Sequence, residues 1–239
     1  MFCADKIIYA FDLRSNDAYK KRMMMRKIRI GMMATLVACT QFLSGMEFDF
    51  RPLSSLCRIE VNLSTDFGSG KVRGTFGQLA GNLNFVPENP AITQGKVLMR
   101  SGSLRFGHTK VAHSTHAPEF LDSRRYPEIS FQLESLNNFS WHERELRAIG
   151  LGTLTIKGKA NQIEIPLSIR YHRGERRKYE GKIGDLLRID GMLNINGTEM
   201  SKIFNGTPDP LLKEIDVEVS LTGASDRMRP FLPSRLFWR

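Results

Sequence analysis

The stretch that most narrows what this chain can fold into is 163–171. There Ile163, Ile165, Leu167, Ile169 and Tyr171 alternate with residues that include Glu164, Ser168 and Arg170. A period of two places successive side chains on opposite faces of a strand, one dry and one wet. The same arrangement precedes it twice. After Pro127, Ile129, Phe131 and Leu133 alternate with Ser130, Gln132 and Glu134; in 150–157, Leu154 and Ile156 lie between Thr153, Thr155 and Lys157. Gly158 and the polar Lys159–Asn161 supply the reversal between the last two strands. Consecutive antiparallel strands with a common apolar face are therefore the nucleus of the fold.

The alternation extends well beyond that nucleus. Ile59, Val61 and Leu63 carry it, then Val72, Gly74 and Phe76, then Leu79, Gly81, Leu83 and Phe85. Pro87-Glu88-Asn89-Pro90 marks a turn before Val97 and Met99. Later strands are expected over Leu187–Ile195 and Ile215–Leu221, separated by a long loop, 197–213, with a helical turn in it. The segment 107–123 breaks the pattern, and Ala117–Asp122 suits a short helix with Pro118 in its first turn. Seven or eight one-sided strands can bury their dry faces in a two-sheet sandwich or in a closed barrel. Glycines inside strands, at Gly74, Gly81 and Gly191, favour strong bending and so the barrel. Pro166 lacks an amide donor and must fall at a bulge or an unpaired ladder position. No repeat or shift of composition divides 55–223, which reads as one domain followed by a basic tail, 224–239.

The chain ahead of that domain reads as an address. Residues 1–24 carry Asp5, Asp12, Asp17 and the run Lys20, Lys21, Arg22, and read as an extension outside the folded unit, upstream of starts at Met23–Met25. From Met25 a basic region with Arg26, Lys27 and Arg29 leads into a short apolar run, Ile30–Ala38, so that 25–45 has the layout of an export signal. No stretch reaches the ~18 apolar residues of a spanning helix. Leu36-Val37-Ala38-Cys39 has the form of a lipobox, which would acylate Cys39 and anchor the protein to a membrane; the competing reading is an ordinary signal peptide with an incidental cysteine. Both place the working part in the periplasm or cell envelope. Cys3, Cys39 and Cys57 form no disulfide framework, since Cys57 stands alone or pairs with Cys39.

Charge and candidate chemistry exclude more than they assign. The formal net charge is +10, but residues 1–45 hold eight basic and three acidic residues and so supply half of it. The remainder is spread over strands and turns and forms no recognisable nucleic-acid motif; anionic head groups are a more economical partner. His108, His113 and His116 lie near Glu119 and Asp122, and His113-x-x-His116 could share a helical face as metal ligands. No third ligand has diagnostic spacing, so a solvated polar segment is the simpler reading. Ser101 and Ser103 have no catalytic partners, and no G-x-S-x-G occurs. The residues call for no enzyme, metal or cofactor, and leave the oligomeric state open.

Three blocks resemble the YceI-like family of bacterial envelope proteins. Gly74-Thr75-Phe76 followed by GNLNFVPENP from Gly81 is similar to its G-x-F and G-x-L-x-F-D-P-x-N-P; FLDSRRYPEISFQLESL from Phe120 is similar to its phenylalanine–aspartate turn and the tyrosine–proline that begins its next strand; GLGTLTIKGKANQIEIPLSI from Gly150 is similar to its G-x-L-T-x-x-G hairpin. The resemblance runs from about 57 to 222. It implies a lipocalin-like antiparallel β-barrel that holds a polyisoprenoid or related lipid inside. The family's Arg-Asp pair falls near Val111 and Ala112, and its N-R-S-D-F-G appears as Asn196-Gly197-Thr198-Glu199-Met200-Ser201, departures that bear on head-group recognition. On this reading the lipid contacts are Phe76, Leu83, Phe85, Ile129, Phe131, Leu133, Leu154, Ile156, Ile165, Leu167, Ile169, Val217 and Val219. The competing readings are a filled barrel acting as an envelope interaction module for a protein or glycan and, further off, a metal-dependent hydrolase.

Overall fold

The structure, a computed structural model, describes residues 45–65, 71–107, 115–196, 199, 203–204 and 212–227. The leader, Cys39, His108, His113, Val111, Ala112 and the tail beyond 227 lie outside the described residues. Among the described residues eleven strands make eight staves of one closed antiparallel barrel. The first stave is split into β1 (Met46–Asp49) and β2 (Arg58–Thr65). The second is kinked between β3 (Lys71–Phe76) and β4 (Leu79–Phe85), and the third between β5 (Gln94–Arg100) and β6 (Leu104–Phe106). Then follow β7 (Glu128–His142), β8 (Glu145–Ile156), β9 (Lys159–His172), β10 (Leu186–Asn196) and β11 (Leu212–Ala224). Each stave pairs with its neighbours in the chain, and β11 closes the ring on β2 and on Asp49 of β1.

The alternation read from the sequence becomes the inside and outside of this wall. In β8 every even position from Leu146 to Ile156 is buried, and the odd positions are not. β9 runs in the opposite phase, with Ile165 and Ile169 buried and Glu164 and Arg170 exposed. The wet face is ionic. Glu145 sits between Arg147 and Arg170, whose hydrogen bonds hold its carboxyl down at about 2. β7 changes phase midway, because a bulge between Leu133 and Ser135 turns Leu136 inward to full burial where strict alternation would point a serine.

Several local expectations change. The β8–β9 reversal is Lys157-Gly158 alone, both at positive φ (51° and 72°), with Ile156 and Lys159 already paired. That is the two-residue turn whose twist matches the strands it joins, so Lys159–Asn161 are strand, not turn. The helix expected over Ala117–Asp122 is a set of turns: of its described neighbourhood only Thr115 and His116 are helical, and Asp122 takes φ 47° to accept the Arg125 and Tyr126 amides. The short helix instead lies between β9 and β10, as α1 (Arg176–Glu180). β1 lies ahead of the domain expected over 55–223 and buries Phe48 completely. Pro166 behaves as its missing amide requires. The β9–β10 ladder stops at Leu167–Gly191, and from Pro166 back to Lys159 β9 pairs with β8 alone.

The two ends of the barrel are built differently. One end, here the base, carries the 143–144 turn, the 173–185 connection and Gly45, where the described chain begins. A buried polar clamp closes it. Asp185, fully buried, accepts hydrogen bonds from Tyr171 Oη and the Gly174 amide, both at 2.7 Å. Arg176, 3% exposed, donates to Glu180 at 2.6 Å, to the Ser225 carbonyl at 3.1 Å and to Asp226. Above the clamp Phe48, Leu146 and Leu187 fill the section, with Phe48 edge-on to Tyr171 at 6.3 Å. Cys57 is a free thiol beside the Thr222 carbonyl, and burial pushes its pKa up. The other end, the mouth, is capped by described residues of the two long connections: Phe120 and Phe204 stack there with ring centres 4.7 Å apart.

Candidate functional site in the barrel interior

An elongated cavity of about 150 Å³ lies within the wall. It runs from Phe120, Leu121 and Phe204 at the mouth down to Phe50 and Ile169. Every lining residue is hydrophobic except Gly95 and two whose side chains are solvent-exposed, Asn82 and Lys96. Such a bore offers no acid, base or nucleophile. What it can do is take apolar surface out of water.

The strands place the predicted residues as follows. Phe76, Leu83, Ile129, Phe131, Leu133, Leu154, Ile156, Ile165, Leu167, Ile169, Val217 and Val219 all line the cavity. Phe85 does not. It is fully buried at the end of β4, opposite Met46 of β1, and belongs to the packed core outside the bore. The lining also includes Ile59, Val61, Met99 and Ile189, which carry the same period of two and were legible by it. Phe120, Leu121 and Phe204 were not, because they come from connections without periodicity.

Two inward glycines shape the bore. A methyl group on Gly152 would meet the Gln132 carbonyl at 2.3 Å and the Phe131 ring at 2.8 Å. The Phe131 ring thus lies along the wall over Gly152, not across the lumen. Gly150 does the same for Leu133 and Leu167, whose methyls would lie 3.0 and 2.7 Å from an added carbon. These hollows let large side chains lie back against the wall.

Of the three histidines in 107–123 the structure describes His116 alone. His116 has both ring nitrogens engaged, Nδ1 with Ser123 Oγ and Nε2 with the Leu104 carbonyl, each at 3.0 Å. Among the described residues no group of three or more His, Cys, Asp or Glu is placed to hold a metal ion. Likewise Ser101 and Ser103 donate their hydroxyls to the carbonyls of Tyr126 and Arg100, which fixes the β5–β6 kink.

Comparison with solved structures finds the same barrel. BcnA from Burkholderia cenocepacia superposes with a TM-score of 0.55 at 15% identity, over 70% of this chain and 96% of that one. A YceI protein of Campylobacter jejuni gives 0.53 at 15% identity, over 64% and 85%. A polyisoprenoid-binding domain from Saccharophagus degradans, implicated in plant cell wall breakdown, gives 0.50 at 10% identity, over 77% and 99%. At such identities the likeness is one of fold. Comparison with curated proteins gives no match. The profile of the YceI-like domain, however, matches residues 54–222, from just ahead of β2 to within β11, and the chain belongs to the YceI-like family.

Proposed function

We propose that the barrel binds, without chemistry, the hydrocarbon tail of an amphiphilic lipid of the polyisoprenoid or isoprenoid-quinone type in the bacterial cell envelope. The observation that carries this reading is the apolar bore, closed at the base and capped at the mouth by a pair of aromatic rings. Each CH₂ group moved from water into it contributes about 0.8 kcal/mol. The polyisoprenoid-binding domain with the same fold supports the ligand class. The export layout of 25–45, with Cys39 as the acylated residue, supports the envelope.

Volume sets the terms of binding. A cavity of about 150 Å³ suits a ring the size of benzene, whereas pockets for even drug-sized ligands enclose roughly 300–1,000 Å³. A tail therefore enters by parting Phe120 from Phe204 and rotating interior side chains such as Phe131 and Leu167. The head group stays at the mouth. Discrimination among tails is then by length and bulk more than by polar contacts.

The test is extraction of the purified, folded protein with chloroform–methanol, followed by mass spectrometry. About one long-chain apolar lipid per barrel is the expected result. A lipid-free protein that also leaves a fluorescent polyprenyl probe unbound would instead make the barrel a filled interaction module for a protein or glycan.

A further inference from the structure

The connection between β9 and β10 combines two features that ordinarily exclude each other. It is rigidly held, yet it exposes large apolar side chains. Ile183 is 70% exposed and Tyr179 58%, the two highest values among the large hydrophobics of the described chain. They stand on a buried floor of Arg176, Gly184 and Asp185. The Gly184 carbonyl accepts the Arg176 amide, and Gly181 ends α1 at φ 71° with its amide on the Arg177 carbonyl. Gly184 admits no side chain, since an added carbon would lie 2.0 Å from the Ser225 carbonyl. A tip fixed this way loses little conformational entropy when it binds.

The charge on the tip that ion pairs leave over is positive. Glu180 and Asp226 are committed to Arg176, and Glu175 to Lys178 at 3.1 Å. Arg177 and Lys182, which flank Tyr179 and Ile183 in the chain, are exposed, and no ion pair among the described residues engages them. Arginine and lysine beside an exposed tyrosine and isoleucine are the side chains that settle at a lipid head-group boundary: the apolar groups enter, and the cations meet the phosphates. The loop also lies at the base, the end at which Gly45 brings the chain into the barrel.

We propose that the 173–185 connection is a membrane-docking loop, which seats the base of the barrel on an anionic bilayer through Tyr179, Ile183, Arg177 and Lys182. The proposal is independent of what the bore holds. It also orients the molecule: the closed base faces the bilayer and the Phe120–Phe204 mouth points away from it.

The test uses the full chain carrying Cys39→Ser, so that no acyl group contributes, in co-sedimentation with phosphatidylcholine vesicles with and without about one third phosphatidylglycerol. Variants are Arg177→Glu with Lys182→Glu, and separately Tyr179→Ser with Ile183→Ser; all four positions are exposed, and each variant is checked for an unchanged melting temperature. The expected result is preferential binding to the anionic vesicles, reduced about tenfold or more by the charge pair and also reduced by the apolar pair. Undiminished binding by both variants would assign attachment to other parts of the chain and overturn the proposal. So would equal binding to both vesicle types. A concentration-dependent dimer that Tyr179→Ser with Ile183→Ser abolishes, without vesicle binding, would give the tip to a second copy and overturn it as well.

Discussion

Ile169→Asp should leave the protein unfolded at room temperature. Ile169 is 1% exposed and points inward from the base end of β9, between Leu146 of β8 and Ile189 of β10. Removing its side chain forfeits about 2 kcal/mol of burial, and the carboxylate finds no partner in an apolar section. An unpaired buried charge costs several kcal/mol more, so the total rivals the roughly 5–15 kcal/mol that holds an ordinary domain together. Glu164→Gln, on the exposed face of the same strand, is the control and should change stability by less than about 0.5 kcal/mol. Urea denaturation followed by circular dichroism checks both. Similar losses at the two positions would mean that the wall has no dry side.

The second large effect is expected at the base. Asp185→Ala removes the acceptor for Tyr171 Oη and for the Gly174 amide. Each donor left unmatched in a buried site costs about 1–3 kcal/mol, so the variant should lose about 3 kcal/mol or more. Asp185→Asn keeps one acceptor oxygen and should lose roughly half as much. The Gly174 amide should exchange with solvent faster in the alanine variant, while the amides of β8 keep their order of protection. A base clamp that proved dispensable, with both variants as stable as the parent, would leave the closure of that end to Phe48, Leu146 and Leu187 alone.

Residue by residue, what could be read in advance was whatever had a period. β9 and β11 sustain alternation over 163–171 and 215–221, and with that many repeats the inward face is set before any partner strand is known. β1 could not be read: four residues with one inward phenylalanine, Phe48, do not establish a period, and their burial depends on β4 and β11 lying on either side. β7 could be read only as far as Leu133, because the bulge that follows breaks the count and is set by pairing with β8. The misplaced turn has a similar origin. Lys157 resembles a strand residue in an alternating run, and its positive φ follows from the tight hairpin with Gly158.

The candidate site divides in the same way. The strand residues that line the bore follow from alternation together with closure of the sheet. Phe85 alternates equally well yet misses the bore, because β1 covers that end of β4. The mouth residues Phe120 and Phe204 are far apart in sequence and meet only through the fold. The histidines illustrate the converse. They had ligand-like spacing in the chain, but His116 spends both nitrogens on holding its own loop to β6.

The base clamp also makes the bore a blind one, and that has a consequence for binding. Ile163 and Ile169 both line it, a separation of about 20 Å along the strand at ~3.3 Å per residue. A tail can be buried up to that depth and no further. The most direct measurement is therefore a titration of the folded protein with prenyl alcohols of increasing chain length, read by displacement of a fluorescent polyprenyl probe. Affinity should rise by about tenfold or more for each added isoprene unit until the bore is full, and then stay level as further units remain outside. Affinity that does not depend on chain length, or no saturable binding at any length, would contradict the account.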